Sequence, residues 1–198
     1  MEVFTRWHDW DTARADITAS GAPVDVDALD TAVAAARRWH GDQKRPTGAP
    51  YVEHLLEALE VLVCGAEVTT PAVLSATILH DVVEDTPATL PDVEAEFGPE
   101  AAELVDWVTK PPAPGAGRQA KRASKAAYLR RLGDAPAEAI QVKLADRVSN
   151  VQTLDRMPTD FQRRYYAETL TYIVPLAAAH PWFKAWYATW SARFAHLR

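Results

Sequence analysis

The 198-residue sequence has one cysteine, no excess of positive charge and no long apolar run. The single Cys64 excludes an internal disulfide and is typical of a reducing compartment, and we expect a cytoplasmic protein. The apolar residues that precede Cys64 predict that it lies in the core. The formal net charge of −6 argues against a general nucleic-acid-binding surface, which needs clustered lysine and arginine. A local basic pocket for a small anionic ligand stays open.

Two further absences concern membranes and strands. No segment approaches the roughly eighteen apolar residues of a membrane span, and the first residues lack a signal-peptide layout. No segment shows the strict alternation of a strand, whereas apolar residues recur at helical spacing in 26–39 and 51–64. We therefore predict an all-α fold, a single helical bundle of about 8–10 helices over residues 26–198. Residues 1–25 are predicted to form an N-terminal arm or short helix that packs through its tryptophans.

Glycine, proline and capping residues predict where the helices break. Thr89 and Asp92 have the spacing of a capping box, and one helix is expected to end near Gly98. Pro175 should kink or break the helix that contains it. Residues 110–117 are rich in proline and glycine and predict a mobile loop. The basic helix after that loop has two interpretations, a solvated face or a lid over an anionic substrate.

The densest chemistry lies in residues 76–86. Apolar residues lead into the pair His80-Asp81, and Glu84 and Asp85 follow within one turn. On a helix these side chains project in roughly one direction, because residues three and four apart share a face. Burying so many charges without a counter-charge is costly, and a divalent cation would supply that counter-charge. The alternative is a helix end with a solvated acidic cluster.

Three other polar residues lie beside apolar helix faces. His54 lies within the apolar segment 51–64, where a lone histidine is more often a core residue than a ligand. Asp146 directly follows two apolar residues, and Asn150 lies four positions later on the same helical face. Taken alone, Asp146 would most often be a surface charge or a salt-bridge partner. These residues become more informative when they are considered together.

The order of His54, His80-Asp81 and Asp146 resembles the signature of HD metal-dependent phosphohydrolases. The longer motifs around them, over about residues 30–180, are similar to the hydrolase domain of the RelA/SpoT alarmone enzymes. Because the chain is too short for their synthetase, TGS or ACT domains, it looks like a stand-alone small alarmone hydrolase. The motifs are Gln43-x-Arg45 through Gly48-x-Pro50-Tyr51-x-x-His54, Leu79-His80-Asp81-x-x-Glu84-Asp85-Thr86, Phe97-Gly98, Val108-Thr109-Lys110, Lys143-Leu144-Ala145-Asp146-Arg147-x-x-Asn150, Glu168-Thr169-Leu170 and Pro175-Leu176-Ala177.

The resemblance implies a role for each matching residue. The implied ligands of one divalent metal ion, usually manganese, are His54, His80, Asp81 and Asp146. The implied catalytic carboxylates are Glu84 and Asp85, and the implied substrate-binding residues are Arg45, Lys121, Lys143 and Asn150. The sequence departs from the family at two positions: Pro46 replaces a second basic residue, and Leu55 replaces a proline.

The implied reaction is metal-dependent hydrolysis of (p)ppGpp at its 3′-diphosphate, which releases pyrophosphate and GDP or GTP. Two imidazoles and two carboxylates suit Mn, Fe, Co or Zn, and such an ion activates water for attack on phosphorus. Other interpretations stay open: hydrolysis of ppApp or of the 2′-phosphate of NADPH, an antitoxin that neutralises a toxic alarmone synthetase, and a purely structural helical protein. A homodimer through the N-terminal arm and the aromatic C-terminal helices also stays open.

Overall fold

The computed structural model describes residues 1–45, 47–112, 115 and 117–198. In these ranges the chain is helical and has no β-strand beyond one isolated bridge between Lys44 and Pro50, which confirms the all-α prediction. No helix in the same ranges has both the length and the apolar character needed to cross a membrane. The helices are α1 Trp10–Ser20, α2 Val26–His40, α3 Tyr51–Glu60, α4 Pro71–Leu79, α5 Val82–Asp85, α6 Leu90–Val108, α7 Arg118–Arg131, α8 Ala137–Val151, α9 Thr159–Glu168 and α10 Pro181–Arg193.

Helix α4 is the centre of the bundle. It packs against α2, α3, α6 and α8, and every residue from Val73 to Leu79 is buried. A helix that is apolar on all sides is stable only when other elements surround it, which is the position that α4 occupies. Helices α3 and α8 pack against α4 and against each other. Residues at the end of α4 and on the inner faces of α3 and α8 are therefore brought close together.

The predicted breaks around α6 are present. Thr89 and Asp92 form the capping box at the start of α6. Gly98, with φ 81° and ψ 168°, divides α6 into two segments, and Pro99 begins the second. Such a backbone conformation is essentially restricted to glycine, because a Cβ atom would clash with the backbone.

The predicted break at Pro175 begins earlier than the proline itself. Helix α9 ends at Glu168, and the chain continues as a π-helical turn over Thr169–Ile173 and a 3-10 helix over Val174–Ala179. Pro175 has no N–H to donate to the preceding turn, so the α-helical hydrogen-bond pattern cannot run through it. The change of pitch reaches back as far as Thr169, one of the buried residues of this segment.

The prediction that Cys64 is a core residue was wrong. Cys64 is exposed, in a π-helical turn over Val61–Gly65 that follows α3. The wider turn changes the angular position of each side chain, so that Val61 and Leu62 stay buried while Cys64 faces outward.

Residues 1–10 pack against the bundle through backbone hydrogen bonds and aromatic side chains. The Phe4 N–H donates to Gln152 Oε1 at 2.7 Å, and Gln152 Nε2 donates to the Phe4 carbonyl at 2.8 Å. Trp186 Nε1 donates to the Glu2 carbonyl at 3.0 Å. The Trp7 ring is fully buried, as is most of Trp10. This segment thus contacts both α10 and the residue that directly follows α8.

Candidate metal centre and active-site cleft

Four side chains from three parts of the chain converge at the ends of the buried helices. The Nε2 atoms of His54 and His80 lie 3.2 Å apart. Asp81 Oδ2 lies 3.1 Å from His80 Nε2, and Asp146 Oδ1 lies 3.3 Å from His54 Nε2. Donor atoms of His54, His80 and Asp81 all fall within 4.8 Å of one another, and Asp146 contacts both imidazoles. The cluster offers two nitrogen and two oxygen donors to one point.

A break between α4 and α5 brings His80 and Asp81 together. The sequence predicts one continuous helix through this stretch, but α4 ends at Leu79 and α5 begins at Val82. Adjacent residues of a regular helix do not face each other, and the turn at Asp81, with φ −104° and ψ −3°, removes that restriction. Glu84 and Asp85 then lie on the short helix α5, beside the four converging side chains.

Both imidazoles are oriented by contacts of their Nδ1 atoms. His80 Nδ1 lies 2.7 Å from the Thr77 carbonyl, which can only accept, so this nitrogen carries a proton. His54 Nδ1 lies 2.8 Å from Ser149 Oγ. The Nε2 atoms are left facing the centre, as in metal-binding histidines whose other nitrogen donates to a fixed acceptor.

A buried lysine compensates Asp146. Lys143 Nζ lies 2.7 Å from Asp146 Oδ2, and Asn150 Nδ2 donates to Asp146 Oδ1 at 2.5 Å. Burial alone would raise the pKa of Asp146, but Lys143 and the two imidazoles outweigh it and hold that pKa well below its ordinary value. Burial opposes protonation of His80, yet Asp81 and Asp146 raise its pKa well above 6.5. The cluster therefore attracts positive charge, which fits a divalent cation and its mixed N/O donors.

Glu84 and Asp85 each have a partner in the cleft. The Glu84 carboxylate contacts the ammonium of Lys110 and accepts from the Lys110 N–H at 3.2 Å. Asp85 Oδ2 accepts from the Tyr51 hydroxyl at 3.1 Å, and the same hydroxyl contacts Asp81. Burial and then the charge of Asp81 raise the pKa of Asp85, which makes this carboxylate easier to protonate.

The centre opens into a cleft of about 230 Å³ with a basic wall. The guanidinium of Arg147 is buried over the Tyr165 ring at 4.3 Å, and its Nη2 lies 2.9 Å from Glu168. Lys125 Nζ lies 2.6 Å from the same carboxylate. Lys110 and Lys143 also line this wall. Cavities of about 530 and 480 Å³ lie elsewhere, so the donor set rather than size marks the site.

The four predicted substrate-binding residues fall in three places. Lys143 and Asn150 line the cleft. Arg45 lies in an adjoining cavity of about 310 Å³, and Asn150 and Tyr165 line both spaces. Lys121 is exposed on α7 and is not among the residues that line the cleft, whereas Lys125, one turn later, lines it.

Two predictions fall partly or wholly outside the described residues. The departure from the family at Pro46 lies outside them, as do three positions of the predicted loop 110–117, namely 113, 114 and 116.

Sequence reasoning gave no role to several residues that line the cleft. Tyr51, Lys110 and Arg147 stand inside the motifs quoted above, so the sequence carried a signal for them. Lys125 belongs to the basic helix, where nothing in the sequence separates it from its neighbours. Tyr165 precedes the Glu168 motif and stands outside every motif given above.

Comparisons with known proteins agree with this geometry. The family model for the HD domain matches residues 32–182. The GTP pyrophosphokinase rsh of Brucella ovis is 38% identical over 152 residues, which is 75% of this chain and 20% of that protein. The guanosine-3′,5′-bis(diphosphate) 3′-pyrophosphohydrolase of Aquifex aeolicus is 35% identical over 159 residues, 78% of this chain and 22% of that protein. The chain therefore spans about a fifth of the length of these relatives.

A solved structure is also similar. It is that of a metazoan ortholog of SpoT described as hydrolysing ppGpp and acting in starvation responses, with a TM-score of 0.73 and 26% identity. The similarity covers 84% of this chain and 94% of that one. The family match spans most of the chain, and its histidines and aspartates converge at one centre. The chain therefore belongs to the HD domain family.

Proposed function

We propose that this protein hydrolyses the alarmone (p)ppGpp at its 3′-diphosphate and releases pyrophosphate and GDP or GTP. The observation that carries the proposal is the convergence of two histidines and two aspartates beside Glu84 and Asp85, in a cleft that is also lined by three lysines and an arginine. The activity for which the Aquifex aeolicus relative is named and the ppGpp hydrolysis of the metazoan SpoT ortholog support the same substrate.

The proposed cofactor is one divalent metal ion, Mn²⁺. His54, His80, Asp81 and Asp146 would hold it. The donor atoms of the first three lie within 4.8 Å of one another, and Asp146 Oδ1 lies 3.3 and 3.6 Å from the two Nε2 atoms. A divalent ion bound there lowers the pKa of water and polarises the phosphate. The lone Cys64 and the nucleotide substrate are compatible with the cytoplasm, which we propose as the location.

The two carboxylates of α5 are proposed to act as general base and general acid. Glu84, held in place by Lys110, accepts this proton as water attacks the phosphorus bonded to the nucleoside 3′ oxygen. The bond between that phosphorus and the 3′ oxygen then breaks, and the oxygen leaves with a proton. Asp85, whose pKa is raised, is suited to supply it. Tyr51 keeps Asp85 at its place through the hydrogen bond of 3.1 Å.

The substrate is proposed to lie across the cleft and the adjoining cavity. Lys143 and Arg147 on the basic wall would bind its phosphate groups, because guanidinium and ammonium groups pair well with phosphate oxygens. The nucleoside would extend past Asn150 towards Arg45. A contact with Lys121 stays a prediction, as do a homodimer and a cognate alarmone synthetase as partner.

Product analysis tests the proposal. The purified protein with Mn²⁺ is incubated separately with ppGpp, ppApp and NADPH, and the products are separated by chromatography. We expect pyrophosphate and GDP from ppGpp, and no products with Asp81→Ala. Glu84→Gln should keep Mn²⁺ bound but lower turnover by roughly 10²–10⁴-fold, the usual contribution of a general base.

A matched control is Glu94→Gln, which changes an exposed glutamate on α6 and should leave turnover unchanged. If ppApp or NADPH is hydrolysed and ppGpp is not, that nucleotide replaces (p)ppGpp as the proposed substrate. Wild-type turnover in Glu84→Gln would remove its proposed role.

A further inference from the structure

A continuous chain of hydrogen bonds starts at His54 in the proposed metal centre and ends at Arg45. His54 Nδ1 lies 2.8 Å from Ser149 Oγ, and Ser149 Oγ donates to Glu57 Oε2 at 2.5 Å. The other carboxylate oxygen, Glu57 Oε1, lies 2.9 Å from Arg45 Nη1. His54, Ser149 and Glu57 are all buried. This series of hydrogen bonds therefore runs through the protein interior from a proposed metal ligand to the arginine of the adjoining cavity.

Only one assignment of donors and acceptors satisfies all of these hydrogen bonds. The Glu57 carboxylate can only accept, so the Ser149 hydroxyl must give its single proton to Glu57. Ser149 Oγ is then left with lone pairs only, and it accepts from His54 Nδ1–H. His54 is thereby held with a proton on Nδ1 and with Nε2 free to face the centre. A metal-binding histidine is commonly fixed by such a contact, and its loss weakens metal binding.

Glu57 has a second contact that serves a different part of the site. Its ion pair with Arg45 holds the guanidinium at the wall of the cavity that Asn150 and Tyr165 also line. The Glu57 side chain is 10% exposed and that of Arg45 is 19% exposed, so this pair is shielded from water. A charge-assisted contact of this kind restricts Arg45 to few conformations. One carboxylate thus holds both a proposed metal ligand and a proposed nucleoside contact.

We propose that Glu57 and Ser149 are positioning residues: Ser149 orients His54 for metal binding, and Glu57 orients both Ser149 and Arg45. The part that concerns Arg45 rests on the proposed function, whereas the part that concerns His54 needs only a divalent ion. Ser149 therefore affects the metal alone, and Glu57 affects both metal affinity and nucleotide affinity.

The first test measures Mn²⁺ affinity by titration calorimetry with the metal alone, without any substrate. Ser149→Ala and Glu57→Gln should each weaken Mn²⁺ binding by about 10-fold, the lower end for contacts that orient a ligand. Because the two residues act in series, the double variant should also lose about 10-fold rather than about 100-fold. The absorption spectrum of the Co²⁺-loaded protein should change in both variants, because a reoriented His54 alters the ligand field of the metal.

Glu60→Gln is the matched control. Glu60 is a buried glutamate one turn further along α3, and it accepts the Arg6 and Trp7 N–H groups instead of contacting the centre. It should leave Mn²⁺ affinity and the Co²⁺ spectrum unchanged. Thermal unfolding of each metal-free variant confirms that it is folded before it is titrated.

The second test separates the two contacts of Glu57. With ppGpp and saturating Mn²⁺, Glu57→Gln should raise KM several-fold, whereas Ser149→Ala should leave KM near the wild-type value. Unchanged Mn²⁺ affinity in folded Ser149→Ala or Glu57→Gln would overturn the proposal, as would an equal loss in Glu60→Gln. Equal KM values for the two variants would overturn the link to Arg45. If neither the wild type nor any variant hydrolyses ppGpp, but Mn²⁺ affinity falls in both variants as expected, the proposed substrate is wrong and the role of Ser149 and Glu57 towards His54 stands.

Discussion

The substitution Asp146→Asn tests whether the Asp146 carboxylate is the counter-charge that the buried ammonium of Lys143 needs when no metal is bound. Asp146 is in contact with Lys143 at 2.7 Å, and the two side chains are 7% and 13% exposed. Asparagine keeps the shape of the side chain and removes its charge. Lys143 is then left as a buried ammonium, with the Tyr128 ring at 5.6 Å as a weaker partner. We expect the metal-free variant to be clearly less stable than the wild type.

The size of the effect follows from the burial of this pair. Removing one partner of a buried ion pair costs about 3–5 kcal/mol, because the remaining charge stays desolvated. The lower end applies here, since the asparagine carbonyl can still accept from Lys143. For a domain of this length about 3 kcal/mol corresponds to a fall in Tm of roughly 6–12 °C.

Two thermal unfolding experiments measure the two roles of Asp146 separately. Without metal, Asp146→Asn should show the fall in Tm, and the double variant Asp146→Asn/Lys143→Met should recover most of it, because no unpaired charge is left. With Mn²⁺ at about 100 times its Kd, the wild type should gain roughly 2.7 kcal/mol. Neither variant should gain stability from Mn²⁺ at that concentration, because both lack one of the four proposed ligands.

Either of two results would refute this reasoning. A double variant as unstable as Asp146→Asn would show that the unpaired charge of Lys143 is not the cause of the loss. A rise in Tm of Asp146→Asn with Mn²⁺ equal to that of the wild type would show that Asp146 is not a metal ligand.

Two further predictions concern pH and the backbone. Because the pKa of His80 is raised well above 6.5 by Asp81 and Asp146 despite burial, its protonation stabilises the metal-free protein below pH 6.5, and that contribution is lost as the pH rises through the raised value. If His80 is a ligand as proposed, Mn²⁺ displaces this proton, so the affinity for Mn²⁺ should rise over the same pH interval. Calorimetry in two buffers should then detect proton release, and an affinity independent of pH would contradict the prediction. Gly98→Ala should cost about 1–3 kcal/mol from local backbone strain alone, because no atom outside the neighbouring backbone lies within 4 Å of the added Cβ. Gly133→Ala is the control, since Gly133 has equal space and no positive φ, and equal falls in Tm would refute the explanation.

Local sequence patterns predicted most of the helices, because the signals lie within a few residues of each other. The capping box of Thr89 and Asp92 and the break at Gly98 are examples. The same kind of pattern failed between Leu79 and Val82, where an apolar run gives no sign that the helix stops. It also failed at Cys64, because a π-helical turn changes which side chains face inward without a change in the apolar spacing.

Sequence motifs predicted only part of the candidate site. The spacing of Asp81, Glu84 and Asp85 indicated carboxylates on one side. The structure places all three beside one cleft, but through a turn at Asp81 and the short helix α5 rather than through one continuous helix. The contact of Glu84 with Lys110 joins residues 26 positions apart, and that of Ser149 with Glu57 joins residues 92 apart. Contacts at such separations depend on how helices pack, which local spacing does not specify.

The packing of residues 1–10 against later parts of the chain sets an order for folding during synthesis. Phe4 pairs with Gln152, 148 residues later, and Glu2 accepts a hydrogen bond from Trp186, 184 residues later. At about 5–20 residues per second, a ribosome needs roughly 7–30 s after Phe4 before it has made Gln152. During that interval Phe4 lacks both Gln152 and the Trp182 ring against which it packs, so this segment completes its packing only late in synthesis.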